Sequence, residues 1–171
     1  MIFLPAHCEA IIEGRKTQTR RLQKLGHRFI SGRGSPDRVY YTWYGGKKIL
    51  KWQVGKEYSV QPGRGELGVA RIKLLDIKSE RVQAITEEDA KAEGVSFEYI
   101  AKGTGVYYSP SSQSFINSSH FLFDEMPDRE KLQGYRGAFA IVWNNIYKKA
   151  NNWLENSWVW ALTFELATTP G

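Results

Sequence analysis

Gly14-Arg15-Lys16-Thr17-Gln18-Thr19-Arg20-Arg21 places four cations and two hydroxyls in eight consecutive residues. The segment follows a short amphipathic pattern, Pro5-Ala6-His7-Cys8-Glu9-Ala10-Ile11-Ile12-Glu13, which reads as a helix with its stop at Gly14. The basic motif therefore begins where a helix ends, and it reads as a pocket for something anionic or strongly polar. Eight Lys and Arg residues fall between Glu13 and Arg38 against two acids, Glu13 and Asp37, so this stretch carries the whole net charge of +6. A localised excess of this kind is an electrostatic footprint for phosphate or nucleic acid. On charge alone, a solvated basic loop accounts for it equally well.

The 171 residues fit one domain, 1–171, with enough chain to bury a core. Apolar and charged contents of 42% and 25% are those of a globular protein and exclude disorder along the whole chain. No run approaches the roughly 20 apolar residues of a membrane span, and Met1 to Cys8 lacks a cationic stretch followed by an apolar one. A soluble, cytoplasmic protein with no membrane partner is expected. Cys8 is the single cysteine, which rules out an internal disulfide and a thiolate zinc cage. His7, His27 and His120 have none of the paired spacings of metal sites. No metal and no cofactor are expected.

Residues 26–51 hold Gly32, Gly34, Pro36, Gly45 and Gly46 among polar and aromatic residues, which predicts a long loop or loose hairpin turning at Gly45-Gly46. Tyr58 to Gln61 reads as a strand ending at Pro62-Gly63-Arg64-Gly65. Leu67 to Ile77 reads as a longer one, with Ala70, Ile72, Leu74 and Asp76 on one side and a bend or bulge within it. Thr86-Glu87-Glu88-Asp89 is a capping box that opens a short helix, Glu87 to Glu93, stopped at Gly94. Residues 96–127 have no sustained period and read as an excursion, for example a lid over a site. A helix is expected from about Asp128, with Phe139, Val142 or Trp143, Ile146 and Tyr147 on one face. The chain closes on a strand whose core side is Trp158, Trp160, Leu162, Phe164 and Leu166.

The tryptophans Trp143, Trp158 and Trp160 follow helix or strand periods and are expected in the core. Tyr44 and Trp52 lie in the basic, glycine-rich stretch, where stacking on a base or sugar competes evenly with packing. Arg64 sits in a Gly-Arg-Gly turn of the sort that cradles phosphate, although a plain strand-to-strand turn explains it more simply. Glu93 ends a helix where the dipole disfavours a carboxylate. Read alone, it is a solvated acid.

Taken together, Gly14, Lys16, Thr17, Thr19 and Arg21 in a Gly-x-Lys-Thr-x-Thr-x-Arg pattern, the segment Gly55-Lys56-Glu57-Tyr58, the capped helix with Glu93 and the aromatic closing strand resemble an ASCH domain. The Trp143 to Tyr147 helix and the Asn156 to Trp160 finish resemble phage and prophage members in particular. The likeness spans most of the chain outside the excursions at 26–51 and 96–127. It implies an α+β fold, a PUA-like small β-barrel flanked by short helices, with a cleft for a modified nucleoside or for RNA or DNA.

Some small members of that family are amidohydrolases that deacetylate N4-acetylcytidine. The resemblance maps their catalytic residues to Lys16, Thr19 and Glu93, the last through the pattern Thr86, Glu87, Ala90, Glu93. Arg15, Thr17, Arg20, Arg21, Arg64, Tyr44 and Trp52 are the residues expected to bind substrate. A lysine among Arg15, Arg20 and Arg21 would have its pKa lowered by burial and like charges, fitting it as a base for the Thr19 hydroxyl or a water. The expected activity is metal-free hydrolysis of an N4-acylated cytidine or related nucleoside. The alternatives are a non-catalytic RNA- or DNA-binding module and a metal-independent ribonuclease using the same cleft. Arg20 and the two insertions depart from the small amidohydrolases.

Overall fold

The computed structural model describes residues 1–95, 106–109, 114–117, 134–147 and 150–169. The chain divides into two compact units, one made of Met1–Glu80 with Trp158–Gly171 and the other of Arg81–Ser157.

The first unit opens with α1, Pro5–Ile12, which has proline in its first turn and buries Cys8, Ala10 and Ile11. Gly14 then takes a φ of 74°, a left-handed conformation that opposes any side chain, and the helix stops where the sequence predicts. The chain turns back at once, with the Lys16 amide donating to the Ala10 carbonyl at 2.9 Å. It then runs into β1, Gln18–Leu22.

Three strands follow: β2, His27–Gly32; β3, Ser35–Thr42; and β4, Lys48–Gln53. They form an antiparallel meander in which Arg28 faces Tyr40, Tyr40 faces Leu50 and Thr42 faces Lys48. The expectation of a loop or loose hairpin over 26–51 is therefore corrected to a three-stranded sheet. Its predicted turn is present, with Gly45 and Gly46 at φ of 85° and 78°, left-handed values that glycine accepts without strain. Only the face carrying Val39 and Trp52 is buried. The other face presents Arg28, Tyr40, Thr42 and Lys48, and so the sequence lacks the clean polar-apolar alternation by which strands are recognised.

The two remaining strands before the second unit are β5, Glu57–Val60, and β6, Ala70–Arg81, paired antiparallel from Glu57 opposite Lys73 to Val60 opposite Ala70. Ala70, Ile72 and Leu74 are buried, and then Ile77. The inward phase shifts by one residue between Leu74 and Ile77, where the imperfect alternation predicts an irregularity. The last strand of the chain, Trp158–Thr168, completes a four-stranded sheet by lying between β1 and β6, with β5 on the far side of β6. Against β1 it is antiparallel, Thr19 opposite Leu162 and Arg21 opposite Trp160. Its core differs from the expected single face. Trp160, Leu162 and Phe164 are buried as predicted, but Val159 and Ala161 are buried too, while Trp158 and Leu166 are 48% and 39% exposed. The core of this unit joins Phe3, Ile11, Val39, Trp52, Val60, Ile72, Leu74, Trp160, Leu162 and Phe164.

The second unit starts with a 3-10 turn, Val82–Ala84, and α2, Glu87–Ala92. The Thr86 hydroxyl accepts from the Asp89 amide at 3.1 Å, as the capping box requires. Replacing Thr86 with alanine should cost about 1 kcal/mol of stability by removing that cap, readable as a lower thermal midpoint, with Thr86→Ser restoring most of it. A backbone hairpin of β7, Val106–Ser109, and β8, Ser114–Asn117, lies inside the stretch expected to be structureless. The remainder of 96–127 falls outside the described residues. So does the start of the helix expected from Asp128, whose described part is α3, Gly134–Ile146. Its buried side is Ala138, Phe139, Ala140, Val142 and Trp143, whereas Ile146 is 46% exposed. The chain closes the unit with a 3-10 turn, Trp153–Glu155, capped by the Asn152 side chain. We number the final strand β9.

Candidate functional site

The Gly14–Arg21 motif is not a loop. From Gln18 it is the edge strand β1, hydrogen-bonded to β9 on one side, and the Thr17 carbonyl accepts from the Phe164 amide at 2.9 Å. The motif's cations have different surroundings. Lys16 is 1% exposed, among the largest fully buried side chains of the described residues, and Thr19 is 5% exposed. Apolar surroundings penalise an ammonium heavily, so a fully buried lysine is rarely a matter of packing alone.

The arginines are placed differently from one another. Arg15 is on the surface, its guanidinium paired with Glu13. Arg20 has a side chain with no exposed surface and reaches Glu80 at 2.8 Å and Gln18 at 3.2 Å. Arg20, expected to bind substrate, directs its guanidinium to Glu80 of β6 and to Gln18 within its own strand. Arg21 lies over the Phe3 ring at 4.8 Å and donates to the Ile2 carbonyl at 2.6 Å. Arg64 is exposed on the turn between β5 and β6. Tyr44 is 93% exposed at the tip of the β3–β4 turn, with its ring edge-on to Trp43. Trp52 is 6% exposed and belongs to the core, its ring edge-on to His27 at 5.9 Å. The expected stacking role of Trp52 is corrected to packing, because β4 turns its ring inward opposite Val39.

Glu93 stands in the second unit as the C-cap of α2, with its amide donating to the carbonyls of Asp89 and Ala90. It is 5% exposed, which overturns its reading as a solvated acid. Its neighbours in the same sequence pattern have structural work. Glu87 accepts from the amides of Tyr135 and Arg136 and so caps the start of α3. Arg136 in turn donates to the carbonyls of Ile85 and Gln83 at 2.7 and 2.8 Å.

A second group in the first unit went unnoticed in the sequence. His27 Nδ1 accepts from Trp160 Nε1 at 3.1 Å and from the Lys24 amide at 3.2 Å. That arrangement fixes the neutral tautomer protonated on Nε2. Burial, then Lys51 and Lys24, push its pKa below the usual histidine value. Lys51 is itself lowered by burial and by the positive charges of Lys24 and Arg21, so three cations crowd one another here. No local signal in the sequence marks them, because the strand pairing that brings them together leaves no clean two-residue period.

The consequence for stability has a definite sign. His27 is harder to protonate folded than unfolded, so the unfolded chain binds more protons as pH falls past 6.5. Stability present above that value is lost as pH falls through the lower folded pKa. Thermal midpoints should therefore decline from about pH 7.5 to 5.5, and His27→Asn, which keeps an acceptor for Trp160, should flatten that decline. An identical slope in the variant would exclude His27 as its source.

Among the described residues no group of three or more His, Cys, Asp or Glu could hold a metal ion. No helix among them is long and apolar enough to cross a membrane. No protein-family model matches the chain, and no curated protein matches it. Among solved structures the chain is similar to the ASCH domain from Lactobacillus crispatus JV V101, with 14% identity, a TM-score of 0.43, and coverage of 95% of this chain and 70% of that one. It is also similar to a protein of Enterococcus faecalis V583 from the DUF984 family, with 12% identity, a TM-score of 0.47, and coverage of 95% and 67%.

Proposed function

We propose that this chain is an ASCH-type hydrolase that removes an acyl group from the exocyclic nitrogen of a cytidine or related nucleoside, with Lys16, Thr19 and Glu93 as its reactive groups. The observation that carries the reading is burial: an amine, a hydroxyl and a carboxylate at the three positions the ASCH resemblance selects are 1%, 5% and 5% exposed. Catalytic acids and bases are the groups for which proteins accept the cost of such burial. We take the four- and three-stranded sheets of the first unit as the counterpart of the PUA-like barrel.

The chemistry needs no group that the chain lacks. Lys16 in its neutral form takes the proton from the Thr19 hydroxyl or from a water, and the oxygen bonds to the acyl carbon. The bond from that carbon to the exocyclic nitrogen then breaks, and Glu93 delivers the proton to the leaving amine. If Thr19 is the nucleophile, water hydrolyses the resulting ester and releases the carboxylic acid. Thr17 and Arg21 stay in the role of substrate contacts, with Arg21 suited to a carbonyl or phosphate oxygen.

Two substitutions test the assignment apart from the lysine. Thr19→Val keeps the shape of a buried strand residue and should abolish turnover of N4-acetylcytidine if the hydroxyl is the nucleophile. Glu93→Gln should lower kcat by roughly 100- to 10,000-fold, with a smaller effect on KM. Wild-type turnover in both variants would remove these residues from the reaction.

A non-catalytic nucleic-acid module is the second reading, favoured by the surplus of cations in the first unit. It predicts oligonucleotide binding that weakens steeply with salt, with no deacetylation.

A further inference from the structure

The outer face of the β2–β3–β4 sheet, which presents Arg28, Arg38 and Lys48, has no part in the reaction above, and it lies in the stretch that concentrates the charge of the chain. Residues 24–56 contain Lys24, Arg28, Arg33, Arg38, Lys47, Lys48, Lys51 and Lys56 against Asp37 alone, a net +7 where the whole chain carries +6. Among the described residues none of these eight cations forms an ion pair with a carboxylate. A fold that only needed solubility would intersperse acids, as it does elsewhere in this chain.

The same face has a shape. Arg28, Ile30, Tyr40, Thr42 and Lys48 of this face, together with Phe29 from the other face, line a groove of about 340 Å³. The register places Arg28 beside Tyr40 on the neighbouring strand, and Thr42 beside Lys48. Arg38, two residues before Tyr40 on the same face, holds its guanidinium 5.8 Å from the Tyr40 ring. Its Nε is buried and has no hydrogen-bond partner. At the end of the β3–β4 hairpin, Trp43 and Tyr44 are 55% and 93% exposed.

We propose that this face is a binding platform for single-stranded nucleic acid, with Arg28, Arg38 and Lys48 on the phosphates and Tyr40 and Tyr44 beneath bases. Cations beside the half-buried Tyr40 on the sheet and the exposed Trp43 and Tyr44 at its hairpin turn suit a strand whose bases are unstacked, because each base then offers a face to an aromatic ring while its phosphate meets a cation. A duplex offers phosphates but no base faces to the rings. An anionic membrane would use the charge and leave the groove unexplained. The inference goes beyond the proposed reaction and does not need it to be correct.

The test uses the full chain carrying Lys16→Ala, so that no turnover complicates binding. Fluorescence anisotropy with labelled oligouridine and oligothymidine dodecamers should show binding that weakens as salt rises. The double change Arg28→Glu with Lys48→Glu should weaken it by about tenfold or more and reduce the magnitude of the salt slope by about 1.4, two phosphates at about 0.7 each. Tyr44→Ala, at an exposed turn where folding is not at stake, should weaken binding about fivefold or more at unchanged salt slope, the mark of a stacking contact. Lys73→Glu, on β6, should bind as its parent does. Equal binding by the parent and the double variant would overturn the proposal, as would binding to phosphatidylserine vesicles without binding to either oligonucleotide.

Discussion

Trp160→Ala is expected to be the most damaging single substitution in the first unit, lowering stability by about 3–5 kcal/mol. The indole is 4% exposed on β9, opposite Arg21 of the motif strand. It donates to His27 Nδ1 at 3.1 Å and packs at 5.7 Å on the Phe29 ring, so one side chain ties the central sheet to the meander. Removing it leaves a cavity and takes from His27 Nδ1 one of its two donors, and the two costs add. Trp160→Phe separates them. It keeps most of the buried area and should cost about 1 kcal/mol for the lost hydrogen bond, plus a share for the missing ring. Urea unfolding of the three proteins measures this. An alanine variant within 1 kcal/mol of wild type, by the usual scale for core truncation, would mean that β9 is not the keystone of this unit.

Lys16→Ala is expected to have the largest effect on activity, a loss of roughly 100- to 10,000-fold in deacetylation, the range over which positioned acid–base groups act. Lys16→Arg is the informative companion. It retains a cation at the position, but a guanidinium does not give up its proton near neutral pH, so it should be as inactive as alanine. If arginine instead restored activity, Lys16 would serve as a charge that holds substrate, and the general-base role would be lost. Far-UV circular dichroism of each variant checks that β1 is still formed.

What the sequence disclosed and what it hid follow from where each signal resides. The stop at Gly14, the Thr86 cap and the Gly45-Gly46 turn are local properties of the chain, and each lies where the sequence places it. The core stripe of β9 was legible at Trp160, Leu162 and Phe164, because alternation survives wherever one face is uniformly apolar. The meander was hidden for the opposite reason, since its outer face mixes Arg28, Tyr40 and Lys48 and no two-residue period stands out. Trp52 looked available for stacking because Lys51 and Gln53 flank it. Its burial depends on the pairing of β4 with β3, which no local pattern encodes.

The site was partly legible in the same sense. The motif singled out Lys16 and Thr19 as residues, but charge suggests a surface, and only the fold reveals that Lys16 and Arg20 are buried while Arg15 is not. Four neighbouring cations read as one patch in the sequence. In the fold, Arg20 is committed to Glu80 and Arg15 to Glu13. The charge that seemed to mark the motif belongs more to the sheet that follows it, where Lys24 and Lys51 press on His27 and where the outer groove opens.

The most direct test of the reaction is a proton NMR time course of N4-acetylcytidine incubated with the wild-type protein and with Lys16→Ala. Cytidine and acetate should appear in equal amounts with the wild type, unaffected by a chelator, and should not rise above the enzyme-free blank with the variant. An unchanged N4-acetylcytidine spectrum with the folded wild type, or equal rates for the two proteins, would contradict the account.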